Sequence, residues 1–103
     1  MRSLQQMKAN SINIKVRFYA SLTQAFQEKE KDVQFEEKTN IRSLLNLLCN
    51  TDERHQKIFD KFGQISSSIN ILRNGRHISF LNGIETELEE GDRIAIFPLM
   101  YGG

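Results

Sequence analysis

The chain has 103 residues, of which 39% are hydrophobic and 26% charged, a composition typical of one folded domain and not of a disordered or membrane-embedded chain. Its 14 lysines and arginines nearly balance 13 aspartates and glutamates, so the basic excess needed to bind a nucleic-acid backbone is missing. We therefore expect a single domain with neither nucleic acid nor a membrane as its partner.

The first part of the chain predicts a flexible arm followed by two strands. Residues 1–11 are mostly polar and are expected to form the arm. From Ile12 to Phe18, apolar and polar residues alternate strictly, which is the pattern of a strand with one buried face. Alternation recurs from Lys31 to Glu37, which predicts a second strand in a hairpin with the first, and the connection has room for a turn of helix around Leu22 and Phe26.

An amphipathic helix is predicted next. Thr39 or Asn40 can cap its N-terminus, and apolar residues then recur at the spacing i, i+3, i+4, i+7. These residues are Ile41, Leu44, Leu45 and Leu48. The charged stretch from Thr51 to Phe62 also carries apolar side chains, so we expect a second helical piece or an ordered loop at the edge of the core.

The second half of the chain predicts three strands. A strand around Ile69–Arg73 leads into Asn74-Gly75, a dipeptide typical of a tight hairpin turn, and a second strand leaves it over Arg76–Ser79. The β-branched segment Arg93–Phe97 predicts the last strand, which Pro98 is expected to end because proline cannot donate a backbone hydrogen bond.

The order of elements predicts the fold class. One amphipathic helix packed on one face of a mixed sheet of about five strands buries the apolar stripes economically. This is the α+β arrangement called the β-grasp, or ubiquitin-like, fold. We expect it to span residues 12–98 and to be followed by a flexible tail over residues 99–103.

The tail ends in Gly102-Gly103. Five extended residues reach about 18 Å, so the terminal carboxylate can stand clear of the domain, and glycines, having no Cβ, can enter a narrow enzyme channel. A carboxylate becomes an acyl donor once ATP converts it to an acyl-adenylate, which a thiolate, a persulfide or an amine can attack. A protein that serves as such a substrate needs no catalytic site of its own.

Several segments resemble one known family. These are Ile14–Ala20 in the first strand, Asn74–Arg76, Leu81–Pro98 and the closing Gly102-Gly103. Together they resemble the MoaD/ThiS family of sulfur carriers, which includes the small subunit of molybdopterin synthase and to which ubiquitin-like archaeal modifiers are related. The resemblance covers about residues 12–103.

The resemblance implies a function for the tail. A ubiquitin-activating-type adenylyltransferase would use ATP to adenylate Gly103, and sulfur transfer would then give a thiocarboxylate, with no cofactor bound to the carrier itself. The large subunit of molybdopterin synthase would be the partner that holds the pterin precursor to which sulfur is delivered. The residues expected to dock on these partners are Phe97, Pro98, Leu99, Met100, Tyr101 and Gly102.

Two other functions fit the same sequence. A ubiquitin-like modifier would use the same terminus to form isopeptide bonds with lysines of other proteins, and a plain interaction domain would leave the glycines without a role. Where molybdopterin-type carriers often have a second proline and small residues, this chain has the bulkier Leu99, Met100 and Tyr101. The identity of the sulfur acceptor therefore stays open at this point.

A few other residues have the chemistry of a site. Cys49 is the only cysteine, which excludes an internal disulfide and fits the reducing cytoplasm, and it is expected to be a packed side chain. His55 and His77 are expected at the surface, since no metal-ligand spacing surrounds them. An acidic cluster is expected either to be solvated or to meet a basic patch on the activating enzyme. It consists of Glu85, Glu87, Glu89, Glu90 and Asp92.

Overall fold

The computed structural model describes residues 11–99. The expected arm, apart from Ser11, and the tail residues Met100 to Gly103 lie outside the described residues. Nothing in the described part of the chain tests the predicted boundaries of arm, domain and tail.

The described residues form a β-grasp fold, as predicted, around a mixed five-stranded sheet. Its strands are β1 (Ile12–Phe18), β2 (Glu30–Phe35), β4 (Ile69–Arg73), β5 (Arg76–His77) and β7 (Arg93–Pro98), and their order across the sheet is β2-β1-β7-β4-β5. The strand β7 lies at the centre, parallel to β1 and antiparallel to β4. The predicted hairpin of β1 and β2 is confirmed by their antiparallel register.

Three helices and a small second sheet complete the domain. They are α1 (Ser21–Phe26), α2 (Ile41–Leu48), α3 (Asp52–Ile58), β3 (Thr39–Asn40) and β6 (Glu87–Leu88), with β3 and β6 antiparallel. Short 3-10 turns lie at Ile78–Phe80 and Gly83–Glu85. None of the helices among residues 11–99 is long and apolar enough to cross a bilayer.

Within residues 11–99, the sheet has an inner face that is buried and an outer face whose side chains are exposed or half-buried. On β1, the side chains of Ile14, Val16 and Phe18 are buried, whereas Lys15 and Arg17 between them are exposed. Because successive side chains of a strand point to opposite faces, the period of two in the sequence correctly predicts which of these residues are buried and which are exposed. The inner face packs against the apolar sides of the helices in one continuous core.

The helix α2 follows the prediction closely. Its stripe of Ile41, Leu44 and Leu45 is fully buried, and the Asn40 side chain accepts a hydrogen bond from the Ser43 N–H at 2.9 Å. Asn40 is therefore the N-cap, while Thr39 belongs to β3. The charged stretch after α2 forms α3, with Thr51 as its cap.

The strand after the hairpin turn is shorter than predicted. Asn74 and Gly75 adopt φ of 51° and 87°, which confirms the tight turn. The strand then ends at His77 and does not reach Ser79, because the His77 Nδ1 accepts a hydrogen bond from the Ser79 N–H at 3.0 Å. That contact caps a 3-10 turn, which carries Ile78 into the core.

The last strand is one residue longer than predicted, because it includes Pro98. The Leu99 N–H still donates to the Ser68 carbonyl at 2.6 Å, so the chain remains bonded to the β4 side beyond the proline. Alternate residues of a strand direct their N–H groups to opposite neighbours. The N–H that Pro98 lacks would point toward β1, which has already ended at Phe18, so the proline breaks no ladder bond.

Candidate functional site

The root of the C-terminal tail lies at the end of the central strand β7. Phe97 and Pro98 are half-buried there, and Leu99 is 41% exposed although its N–H is bonded to Ser68. Of the predicted docking residues, the structure places these three side by side. Met100, Tyr101, Gly102 and the predicted acyl carrier Gly103 lie outside the described residues.

A shallow apolar hollow adjoins this root on the outer face of the sheet. We call its lining the apolar strip. It has a volume of about 500 Å³ and is lined by Tyr19, Ala20, Leu72, Ala95, Phe97 and Pro98. Exposed apolar area beside a chain terminus is a common mark of a protein-binding surface, so the strip is the candidate docking site.

The strip has a defined geometry because three strands hold it. The Tyr19 ring, which is 42% exposed, meets the Phe97 ring edge to face with centroids 6.2 Å apart. Leu72 on β4 stands opposite Ala95 on β7 in the antiparallel register. Rigid aromatic anchors of this kind lose little conformational entropy when a partner binds.

A second hollow on the same face shares Tyr19, Leu72 and Ala95 with the strip. It has a volume of about 290 Å³, and its charged lining residues are the cationic Lys15, Arg17 and Arg93 and the acidic Glu30. The Arg17 guanidinium carbon lies 5.8 Å from the centre of the Tyr19 ring. Apolar and cationic surface are therefore continuous on this face.

Sequence reasoning named only one end of this site. It missed Tyr19, Leu72 and Ala95, although a signal was present. Phe97 and Ala95 have the opposite parity to the buried Ile94 and Ile96, which puts them on the face that a two-layer domain leaves open.

Most of the acidic cluster is bound within the molecule. A Glu85 carboxylate oxygen accepts from Arg42 Nη2 at 2.6 Å, and Glu90 Oε1 accepts from the Asn13 backbone N–H at 2.8 Å. Glu89 lies 3.7 Å from Arg73. These surface contacts pair three members of the cluster with groups of this chain, which the sequence did not reveal.

Asp92, the fourth such member, is the most deeply bound. It is only 5% exposed, and it accepts hydrogen bonds from Arg73 Nε at 2.8 Å, Asn74 Nδ2 at 2.9 Å and the Glu89 N–H at 2.7 Å. Burial acts to raise the pKa of its carboxyl group, but the hydrogen bonds outweigh that effect and the pKa is lowered. Asp92 is thus an anionic structural bridge between the β4–β5 turn and the start of β7.

The remaining candidate residues do not form a catalytic site. Cys49 is buried, as predicted, and burial raises the pKa of its thiol to about 11, although Arg54 acts in the opposite direction. The thiol is therefore protonated and a poor nucleophile near neutral pH.

The two histidines have different environments and make different contacts. His55 is exposed and stacks on Phe59 with a centroid distance of 4.5 Å. His77 was expected at the surface but is half-buried, because its Nε2 lies 3.1 Å from Asn70 Oδ1 while its Nδ1 caps the 3-10 turn. Within residues 11–99, no three side chains of metal-binding type are grouped to hold an ion.

Comparison with known proteins decides the family. The model of the ThiS family matches residues 16–103, which include the end of β1, the apolar strip and the closing glycines. The chain belongs to the ThiS family. It is thereby a member of the group of sulfur carriers and ubiquitin-like modifiers, as the resemblance noted in the sequence implied.

Both kinds of relative occur among the proteins that this ThiS-family chain resembles. It is 36% identical over 91 residues to a protein of Archaeoglobus fulgidus described as a sulfur carrier, covering 87% of this chain and 98% of that protein. It is 25% identical to small archaeal modifier protein 3 of Haloferax volcanii, covering 89% of this chain and all of that protein. The solution structure of small archaeal modifier protein 1 from Methanosarcina acetivorans superposes with a TM-score of 0.75 at 31% identity, over 91% of this chain and 99% of that one.

Proposed function

We propose that this ThiS-family protein is a sulfur carrier whose Gly103 carboxyl group is converted to a thiocarboxylate. The observation that carries the proposal is the apolar strip, which lies beside the root of a tail that ends in Gly102-Gly103. A partner that docks on the strip has the start of the tail at the edge of its contact surface. Four extended residues beyond Leu99 then reach about 14 Å into that partner's active site.

The chemistry belongs to the partner enzymes, and ATP is their substrate. A Gly103 carboxylate oxygen attacks the α-phosphorus of ATP on a ubiquitin-activating-type adenylyltransferase, and pyrophosphate leaves. A persulfide then attacks the carbonyl carbon, and AMP leaves. A second thiolate attacks the outer sulfur of the resulting acyl disulfide, which breaks the S–S bond, releases the thiocarboxylate and leaves the two enzyme sulfurs joined as a disulfide. The carrier itself needs no bound cofactor for these steps.

The residues of this chain supply binding and positioning. The apolar strip provides the buried centre of the interface, with Phe97 and Pro98 next to the tail and Leu99 at its start. Met100, Tyr101 and Gly102 continue the contact into the partner, where glycine at position 102 passes a constriction that a Cβ would obstruct. Holding the carboxylate against ATP in this way makes the reaction effectively intramolecular.

For the acceptor, we favour the pterin precursor of molybdenum cofactor biosynthesis, held by a large molybdopterin synthase subunit in the cytoplasm. The support is the resemblance of the first strand, Ile14–Ala20, to the molybdopterin-type members of the family. In a reconstituted reaction, the thiocarboxylated protein with that large subunit should convert the precursor to its dithiolene product. Failure with a large subunit that accepts sulfur from another carrier would exclude this acceptor.

Conjugation to lysines is the second candidate, and the relatives named as archaeal modifiers favour it. Both functions share the adenylation step and differ in the nucleophile that follows. Tryptic digests of cell extracts separate the two functions when the variant Tyr101→Arg is expressed. Trypsin cleaves after the new arginine and leaves a short diglycine remnant on each target lysine. Remnants on lysines of several proteins support conjugation, whereas their absence, with a pterin-binding subunit recovered in complex, supports sulfur transfer alone.

The apolar strip gives a direct prediction for activation. Phe97→Ala removes an aromatic anchor from the strip, so we expect the KM for this protein in ATP–pyrophosphate exchange to rise about tenfold with little change in kcat. Phe80→Ala is the matched control, because Phe80 is 79% exposed but lies outside the strip. Equal KM values for the two variants would show that the apolar strip is not part of the docking surface.

A further inference from the structure

The cations on the outer face of the sheet differ in whether they are already paired. Lys15 Nζ lies 3.5 Å from Asp32 and 3.9 Å from Glu30 on the neighbouring strand, so its charge is largely balanced. Arg73, which has the parity of the buried Ile69 and Ile71 and so belongs to the opposite face, is bound to Asp92 and Glu89. Among residues 11–99, by contrast, no carboxylate lies within 4.0 Å of the guanidinium groups of Arg17 and Arg93.

Arg17 and Arg93 belong to adjacent strands and share one face. In the parallel register Arg17 stands beside Ala95, and Arg93 stands beside Lys15. Both arginines are exposed, and both line the hollow that shares Tyr19, Leu72 and Ala95 with the apolar strip. We call these two residues the cationic rim.

We propose that the cationic rim binds carboxylates of the activating enzyme, so that the enzyme's docking surface is acidic around an apolar centre. This inference rests on the proposed function. The occupant is a protein surface rather than a free anion because the rim is continuous with the apolar strip, and protein interfaces have an apolar core with a polar border. Arginine suits this role, since its planar guanidinium can bind a carboxylate through two parallel hydrogen bonds.

The assignment puts the basic side of the contact on this chain, whereas the sequence offered an acidic contact as one of two alternatives for the acidic cluster. The acidic cluster was the candidate for meeting a basic patch, but four of its five members contact polar or basic groups of this chain, three of them at its surface. On the outer face, Glu30 and Asp32 are paired with Lys15, whereas no carboxylate of residues 11–99 lies within 4.0 Å of Arg17 or Arg93. Because opposite charges at an interface accelerate association, the rim should affect the rate of binding as well as the affinity.

The test uses the full chain and the ubiquitin-activating-type enzyme of the same organism. The double variant Arg17→Glu, Arg93→Glu should raise the Kd, measured by surface plasmon resonance, about 10- to 100-fold, mainly by slowing association at low salt. The control variant Lys38→Glu, Lys57→Glu removes the same charge from exposed positions away from the outer face and should change the Kd less than about twofold. Thermal unfolding curves of both variants should match that of the unmodified protein, since all four side chains are exposed.

Each outcome decides a different claim. Equal Kd values for the two double variants would overturn the cationic rim while leaving activation intact. The milder variant Arg17→Gln, Arg93→Gln should give an intermediate Kd with a weaker salt dependence than the unmodified protein, and an unchanged salt dependence would also overturn the rim. Absence of ATP–pyrophosphate exchange with the unmodified protein would instead overturn the proposed function.

Discussion

Removing Gly102 and Gly103 is expected to abolish adenylation and thiocarboxylate formation while leaving the free energy of unfolding unchanged. The new terminus would be Tyr101, whose ring is too wide for a channel shaped for glycine and whose carboxylate falls about 7 Å short. A displacement of this size costs at least about 100-fold in rate for a positioned reactant. ATP–pyrophosphate exchange measures the loss, and urea unfolding measures the stability.

Two single changes separate the effect of tail length from the effect of side-chain size at the terminus. Deleting Gly103 alone keeps a glycine terminus but shortens the tail by one residue, whereas Gly103→Ala keeps the length and adds one methyl group. We expect the deletion to be the more damaging of the two, because the carboxylate cannot contact the α-phosphate from a distance. Full activity of the chain that ends at Tyr101 would show that the glycines have no role and would favour a plain interaction domain.

The second large effect is expected at Asp92. Replacing it by alanine should lower the free energy of unfolding by about 3 kcal/mol, because Arg73, Asn74 and the Glu89 N–H lose a buried anionic acceptor together. Asp32→Ala is the matched control, since that side chain is 82% exposed in a surface pair with Lys15 and should cost less than about 1 kcal/mol. Similar losses in the two variants, measured by urea unfolding, would contradict the structural role of Asp92.

The stabilisation by Asp92 also depends on pH in a defined direction. Its carboxyl pKa is lowered in the folded state from the ordinary value of 3.8, so the folded protein binds this proton less readily than the unfolded chain. The contribution is therefore complete above the unfolded pKa and is lost as the pH falls through the folded pKa. Consequently the stability difference between the unmodified protein and Asp92→Asn should be constant from neutral pH down to about pH 5 and should shrink in more acidic solution.

Local patterns predicted the main elements of the fold. The strict alternation in β1, the i, i+3, i+4, i+7 stripe of α2 and the Asn74-Gly75 turn each follow from backbone geometry acting over a few residues. Each of the three is found in the structure where the sequence put it.

The elements that were missed depend on contacts between distant residues or on side-chain hydrogen bonds. The strands β3 and β6 pair only at Thr39 with Leu88 and at Asn40 with Glu87, which is too short for a periodic signal. The 3-10 turn after β5 follows from the His77 side chain, and the path of β7 through Pro98 follows from the end of β1. The β3–β6 pairing and the position of Pro98 relative to β1 cannot be seen in a window of neighbouring residues, and the turn at His77 depends on a side-chain hydrogen bond that hydrophobic periodicity does not report.

The candidate site also has one part that could be predicted from the sequence and one part that could not. The closing glycines and Phe97 could be recognised in the sequence, because they are contiguous with the tail. Tyr19 and Leu72 join them only through the strand order β1-β7-β4, which brings three separate segments onto one face. The cationic rim could not be predicted for a further reason. The ion pairs of Lys15 and Arg73 are visible only in the structure, and only they distinguish these cations from Arg17 and Arg93.

The most direct measurement is the intact mass of the protein after incubation with its activating enzyme, ATP and a persulfide sulfur donor. The account predicts a mass gain equal to the exchange of one oxygen for one sulfur, which fragmentation should assign to Gly103. The variant that ends at Tyr101 should show no gain. An unchanged mass with an enzyme proven active on another carrier, or sulfur found on Cys49 instead of Gly103, would contradict the account.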